Sequence, residues 1–268
     1  MKVLVVVQAR TGSTRLPGKV LLPLAGATVL ERQIERIRSA RTPFDLLVAT
    51  TVEPADDPIR SLCHRAGVQC WSGHPTDLLD RHFRAATFAS AEVVVKIPSD
   101  CPLIDPNVVD KVLREFLRAK GAFDYVSNLH PPSWPDGMDV EVMSMEALAV
   151  AFSEARQPHE REHTTPFLWD QPHLFRIGNV LWKSGRDLSM SHRLTLDYPE
   201  DYALVSKVFA ALWQPGRPFT VEEVVDYLDS HPQSAAINAR FVGVNWYRHH
   251  LADLATVGAA ETREPMEA

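Results

Sequence analysis

KVLVVVQARTGSTRLPGK, residues Lys2–Lys19, sets an apolar run against a loop of small hydroxyl side chains and fixed cations. The run Val3–Val7 has the β-branched content and the length of a buried strand. A strand that opens onto Gly, Ser, Thr, Arg and Lys suits a phosphate-binding loop, because ligands of open α/β sheets bind beyond the carboxyl ends of strands. Two familiar versions are excluded. The P-loop pattern G-x-x-x-x-G-K-[ST] fails because five residues separate Gly12 from Gly18 and Val20, after Lys19, has no hydroxyl for a metal. The dinucleotide pattern G-x-G-x-x-G fails because no glycine pair opens the loop. What remains is Arg10, Arg15 and Lys19 interleaved with Thr11, Gly12, Ser13 and Thr14. Guanidinium groups bind phosphate oxygens bidentately, and Gly12 lets backbone N–H groups approach, so the loop reads as a polyphosphate site. A solvated surface loop is the plain alternative.

Outward from the loop, strand and helix signals alternate. Thr28 and Glu31 form a capping box before TVLERQIERIRSA, whose Leu30, Ile34 and Ile37 recur at helical spacing. FDLLVATT reads as a strand, DPIRSLCHRAG as a helix closed by Gly67, VQCW as a strand, TDLLDRHFRAATFA as a helix and EVVVKI as a buried strand. Asp105 and Pro106 then start the helix that ends at Gly121. The pattern predicts an α/β fold of three layers, a predominantly parallel, Rossmann-like sheet with helices on both faces. Beyond Phe123 the expected elements are strands in FDYVSN, GMDVEVM, LFRIGNVL and RLTL, helices in SMEALAVAFSEA and PEDYALVSKVFAALW, a His-rich segment PHEREHTTPFLWD, and two weaker helices in the tail.

Composition bounds the function. The 268 residues with 45% hydrophobic content support one large domain, and the net charge of -6 excludes a general attraction to nucleic acid or an anionic membrane. Any basic site is therefore local. No stretch approaches the roughly 20 apolar residues of a spanning helix and no basic region precedes an apolar run, so a cytoplasmic protein is expected. Cys63, Cys70 and Cys101 lack zinc or disulfide spacing and read as reduced thiols.

Two carboxylates complete the first half of the chemistry. Asp100, in SDCPLIDP, follows EVVVKI, and Asp197, in LTLDYPED, follows RLTL. If both strands end at one sheet edge, Asp100 and Asp197 face the cationic loop and, with substrate phosphates and water, suit magnesium. A turn or helix cap is the alternative for Asp100, and Asp105 and Asp201 read as caps.

ARTGSTRLPGK, SDCPLIDP, DGMDVEV, REHTTPF and LTLDYPED, in this order, resemble the cytidylyltransferases of the acylneuraminate and 3-deoxy-manno-octulosonate type, most of all the branch named spore coat polysaccharide biosynthesis protein F. The resemblance runs from Lys2 to about Leu212. It implies a nucleotidyltransferase fold that binds CTP and magnesium, with Arg10, Ser13, Arg15 and Lys19 on the triphosphate and the backbone around Ala9 and Gly73 framing the cytosine. Asp77 and Arg81, in PTDLLDR, match the segment near the nucleotide; a solvated helix face is the other reading of Arg81. It implies in-line transfer of CMP to a sugar-type acceptor, with Arg15, Lys19, Asp100 and Asp197 as the catalytic set, in a homodimer.

The acceptor site is expected in the second half. Asp139 and Glu141 alternate with valines, so both carboxylates share a strand face and bind sugar hydroxyls or a cation, or else lie on the exposed face of an edge strand. The resemblance singles out His163 with Thr164, and Arg193 is placed to meet an acceptor carboxylate or phosphate. The chain lacks the aromatic and His-rich elements of the octulosonate enzymes at Met138–Met143, which leaves the acceptor open. The expected organisation is a single domain, with residues 1–127 binding CTP, 128–215 forming a smaller acceptor-binding and dimerisation subregion, and 216–268 a helical extension. Two other readings stand beside this one. The first is a transferase using another nucleotide or a phosphorylated or phosphonate acceptor; the second is a non-catalytic nucleotide-binding component of a glycan assembly complex.

Overall fold

The apolar run after Lys2 forms β1 (Val3–Gln8), and its side-chain alternation builds two layers at once. The computed structural model describes residues 1–183 and 185–266. Val3, Val5 and Val7 pack into one core cluster, Leu4 and Val6 into the other, as a strand buried on both faces requires. A short hairpin, β2 (Pro23–Leu24) and β3 (Ala27–Thr28), leads into α1 (Val29–Arg38), where Thr28 and Glu31 make the expected capping box. Then follow β4 (Asp45–Thr51), α2 (Asp57–Arg65), β5 (Gln69–Gly73), α3 (Leu78–Phe88), β6 (Val93–Pro98) and α4 (Pro106–Arg118). The second half adds β7 (Tyr125–Ser127), β8 (Glu141–Ser144), α5 (Met145–Glu154), α6 (Pro158–His163), α7 (Pro166–Trp169), β9 (Ile177–Asn179), α8 (Pro199–Leu212), α9 (Val221–Ser230) and α10 (Pro232–Ala235).

The seven-stranded sheet runs β5-β4-β1-β6-β8-β7-β9. Strands β5, β4, β1 and β6 are mutually parallel, β7 pairs with β9 in parallel, and β8 alone runs antiparallel to both its neighbours. Helices α1, α2 and α4 cover one face, and α3, α5 and α7 the other. The result is the three-layer, mostly parallel sheet that the alternation predicts. Register brings the carboxyl ends of β1, β4, β5 and β6, the start of β8 and the end of β7 to one edge. Among the described residues, no helix is long and apolar enough to cross a membrane.

One expected strand is absent from the sheet. Arg193–Leu196 makes only an isolated bridge to Asp136, with Leu194 N–H donating to Asp136 O at 2.7 Å and Leu196 N–H to Asp100 O at 2.8 Å. The segment crosses directly over Gly137, at φ 98, where a Cβ would lie 2.5 Å from Thr195 N. It is therefore stitched to the loops at the sheet edge. The His-rich segment folds into α6 and α7 because Pro158 and Pro166 stand at first-turn positions, where a missing N–H costs nothing.

Candidate active site

Ala9 ends β1 buried, its N–H donating to Ala49 O at 3.0 Å. The chain then closes on itself: Ser13 N–H and Gly18 N–H both donate to Thr11 O at 2.9 Å, with Gly18 in the left-handed region at φ 67. Asp56 anchors the loop from outside, accepting Thr11 N–H and the Thr11 hydroxyl at 2.7 Å each, and the Thr51 hydroxyl as well. Burial would raise the Asp56 pKa, but these hydrogen bonds hold it below the ordinary carboxylate range. Arg10 stands exposed at the rim with Nη1 3.3 Å from Pro75 O. A Cβ at Gly12 would meet no atom within 4 Å, so the loop keeps open space over its backbone.

Lys19 turns back beneath this loop. Its Nζ donates to Asp100 Oδ2 at 3.2 Å, Asp197 Oδ1 at 2.9 Å and Leu196 O at 2.8 Å, and the residue is 8% exposed. Arg15 Nη2 reaches the same Asp197 Oδ1 at 2.8 Å. Burial opposes the charges, yet Lys19 and Arg15 outweigh it and hold Asp197 down at about 2. Burial likewise works against the Lys19 ammonium, and the two carboxylates more than offset it, so its pKa is raised. Asp100 arrives from the end of β6. Asp197 is held by its own N–H donating to Asp201 Oδ2 at 2.9 Å, from the first turn of α8.

The cluster opens onto a cleft of about 260 Å³. At its far side the walls are aromatic: His130 stacks on Trp169 at 4.0 Å, and His163 on Trp246 at 3.8 Å. Asp136 and Asp139 line the cleft between. Burial and neighbouring carboxylates push Asp136 up to about 7 despite Arg193, and Asp139 well above its ordinary range. Carboxylates thus outnumber cations along the cleft lining. An oxygen-rich lining of this kind fits a hard divalent ion of the magnesium type, which Asp100 and Asp197, both accepting from Lys19 Nζ, would hold.

The sequence over residues 4–227 matches the family model for cytidylyltransferases. The chain belongs to the cytidylyltransferase family. This cytidylyltransferase is 27% identical over 239 residues to the spore coat polysaccharide biosynthesis protein SpsF of Bacillus subtilis, covering 87% of this chain and 96% of the relative. A solved cytidylyltransferase from Leptospira borgpetersenii superposes with a TM-score of 0.83 at 31% identity, over 88% of this chain and 97% of that one. A CMP:2-keto-3-deoxy-manno-octonic acid synthetase solved with CTP shares the fold, with a TM-score of 0.58 at 17% identity over 78% of this chain and 99% of that one.

The cytidylyltransferase chain links Arg15, Lys19, Asp100 and Asp197 in one ion-pair network, Arg15 to Asp197 and Lys19 to both carboxylates. Other candidates are engaged elsewhere. Arg193 is 2% exposed and fully committed, to Asp201 at 2.9 and 3.0 Å, Asp136 at 3.2 Å and Val244 O at 2.9 Å, so it braces the cleft floor and is not a free anion receptor. Glu141 is not on an edge strand. It lies in β8 between β6 and β7, opposite Lys96, which pairs with it, while Tyr125 Oη donates to its Oε2 at 2.6 Å. Thr164 is buried at φ 74 with its hydroxyl 3.3 Å from His82 Nδ1, away from the cleft, and it is Thr165 that lines it.

Asp77 caps α3, accepting Asp80 N–H at 2.8 Å, and binds Arg161 at 2.8 Å. Arg81 is 1% exposed, not solvated; its guanidinium donates to His74 O and Pro75 O and so shapes the loop beside Gly73. Gly73 packs closely, since a Cβ there would lie 3.1 Å from Arg81 Cγ and 3.2 Å from Trp71 Nε1, and those side chains would have to give way. Lys96, Asp136, Trp246 and Tyr247 line the cleft without having been singled out in the sequence. Lys96 carried a signal, because a lysine inside EVVVKI demands a buried counter-charge. The tail aromatics carried none.

Proposed function

We propose that this protein transfers CMP from CTP to a hydroxyl of a sugar-type acceptor, releasing pyrophosphate, for a surface polysaccharide or glycoconjugate. The observation that carries the reading is the convergence of Arg15 and Lys19 on Asp100 and Asp197 at the mouth of the loop. In this reaction the acceptor oxygen forms a bond to the α-phosphorus as the bond to the β-phosphate bridge oxygen breaks, and the departing pyrophosphate gains negative charge. Arg10, Arg15 and Lys19 bind the triphosphate and stabilise that charge, so the triphosphate displaces the carboxylates from part of their hold on Lys19. Asp100 and Asp197 would hold magnesium, which when bound supplies charge neutralisation and Lewis-acid polarisation at the α-phosphate. Residues 1–127 supply the nucleotide half and 128–215 the acceptor half.

The acceptor end favours hydroxyl recognition. Lys96 and Arg193, the cations there, are committed to Glu141 and to Asp136 and Asp201, whereas Asp139 accepts one N–H, from Gly137 at 3.2 Å, and is otherwise available to hydroxyls. Ring faces of Trp246 and Tyr247 suit the apolar face of a sugar. A thermal-shift panel of CTP, UTP, ATP and GTP with magnesium tests the nucleotide, and CTP is expected to stabilise the fold most. Equal shifts for all four would sink the cytidine assignment. Pyrophosphate release with neutral sugars against sugar acids tests the acceptor, and release with none of them leaves the non-catalytic reading standing.

A further inference from the structure

His159 lies in α6, and His250 and Asp253 lie more than eighty residues later in the tail, yet the three offer one ligand atom each within 4.8 Å of one another. None of them lines the cleft already described. His159 is 4% exposed, and among the described residues no protein hydrogen bond reaches its ring nitrogens. Its ring nitrogens are therefore not spent on the protein, and they keep enough exposure to meet water or an ion. The tail presents its two ligands on a defined turn: His250 N–H donates to Tyr247 O at 2.8 Å and Asp253 N–H to His250 O at 2.9 Å. His250 Nδ1 then stands 3.5 Å from Asp253 Oδ2, and the His159 and His250 rings are 5.1 Å apart.

We propose that His159, His250 and Asp253 form a site for a divalent transition metal of the zinc class, separate from the all-oxygen cluster at Asp100 and Asp197. Two imidazoles and one carboxylate are a borderline-soft donor set that zinc, cobalt and nickel take and magnesium does not, with water in the remaining position. Tetrahedral bonds of about 2.0–2.1 Å require donor atoms roughly 3.4 Å apart. His250 and Asp253 already stand at about that separation, and the exposed Asp253 side chain leaves room for the pair to close on His159. The metal would tie the tail to α6 through residues flanking Trp246, whose ring stacks on His163 at the cleft wall. Its role is thus to fix an acceptor wall, and that consequence alone rests on the function proposed above.

The test is direct titration of the metal-stripped full chain with Zn²⁺ by calorimetry and with Co²⁺ by visible absorption, in millimolar magnesium. One equivalent bound with Kd at or below about 10 µM, and tetrahedral Co²⁺ bands, are expected. Asp253→Asn, at an exposed position, should weaken binding at least tenfold, and His250→Ala should abolish the bands. Asp100→Asn should leave both unchanged. Absence of a saturable equivalent, equal affinity in all three variants, or loss of binding in Asp100→Asn alone would each overturn the proposal. None of these readings depends on CTP turnover, so failure of the catalytic assignment would show separately.

Discussion

Lys19 holds three acceptors at once, and two of them are the carboxylates on which the proposed chemistry rests. Its removal takes from Asp100 its ion-pair partner, leaves Asp197 to Arg15 and Arg193, and takes a charge-assisted contact from the triphosphate. Lys19→Ala and Arg15→Ala should each weaken CTP binding by about 1.5–3 kcal/mol, roughly ten- to a hundredfold, in calorimetry. Unchanged affinity in both would move the triphosphate elsewhere. Asp197→Asn keeps the side-chain shape and loses the charge that Lys19 and Arg15 neutralise. CTP should still bind through the loop while turnover falls by orders of magnitude, and Asp100→Asn added to it should cost little more, because the pair acts as a unit. Pyrophosphate release at the wild-type rate in Asp197→Asn would leave that residue with nothing beyond the start of α8.

At the scale of elements, the junction of β6 with β8 positions the cleft floor. The antiparallel register sets Lys96 opposite Glu141, and the pairing of β7 with β8 brings Tyr125 within reach of the same carboxylate. Burial would raise Glu141, but Lys96 more than offsets it and keeps the carboxylate ionised. A buried ion pair adds little against an apolar replacement, yet removing one partner strands a charge. Lys96→Met should therefore cost about 3–5 kcal/mol in urea denaturation, and the double variant Lys96→Met with Glu141→Gln distinctly less than the sum of the single losses. A Lys96→Met loss below about 1 kcal/mol would mean that water or a neighbour compensates Glu141.

For the molecule as a whole, stability should depend on pH through histidines kept neutral by their surroundings, His82 in α3 and His130 at the cleft wall. Burial lowers His82 to about 3 and His130 to about 4, so both are neutral in the fold. Unfolded, each takes up a proton below about 6.5, so the unfolded state binds more protons as pH falls from there towards the folded pKa, and stability drops. The slope is about 1.4 kcal/mol per pH unit for each such group. Asp136, raised to about 7, acts in the opposite sense between its unfolded value and neutrality. The measurement is therefore a difference: between pH 6.5 and 5, the wild-type protein should lose stability more steeply than His82→Gln, by about that slope. Parallel curves for the two proteins would show that His82 does not remain neutral.

The layered architecture was legible in the sequence because it rests on local rules. Alternating apolar runs, the Thr28 capping box and Pro106 at a helix start act over a few residues, and they fold as read. The cationic loop and Asp100 were legible too, since chain position after a sheet strand marks the edge where ligands bind, whereas Asp197 reaches that edge by a different route, because RLTL is stitched to Asp136 and Asp100 instead of joining the sheet. Tertiary structure alone decided what those charges meet. Arg193 and Glu141 look like free ligand groups in sequence, but Asp136, Asp201 and Lys96, distant or on other elements, absorb them. RLTL has strand composition, yet its close passage over Gly137 ties it to loops. Trp246 and Tyr247 reach the cleft from a tail with no motif of its own. Periodicity reports which side of an element is buried, whereas the pairing of a buried charge depends on partners that only the folded chain brings within a few ångströms.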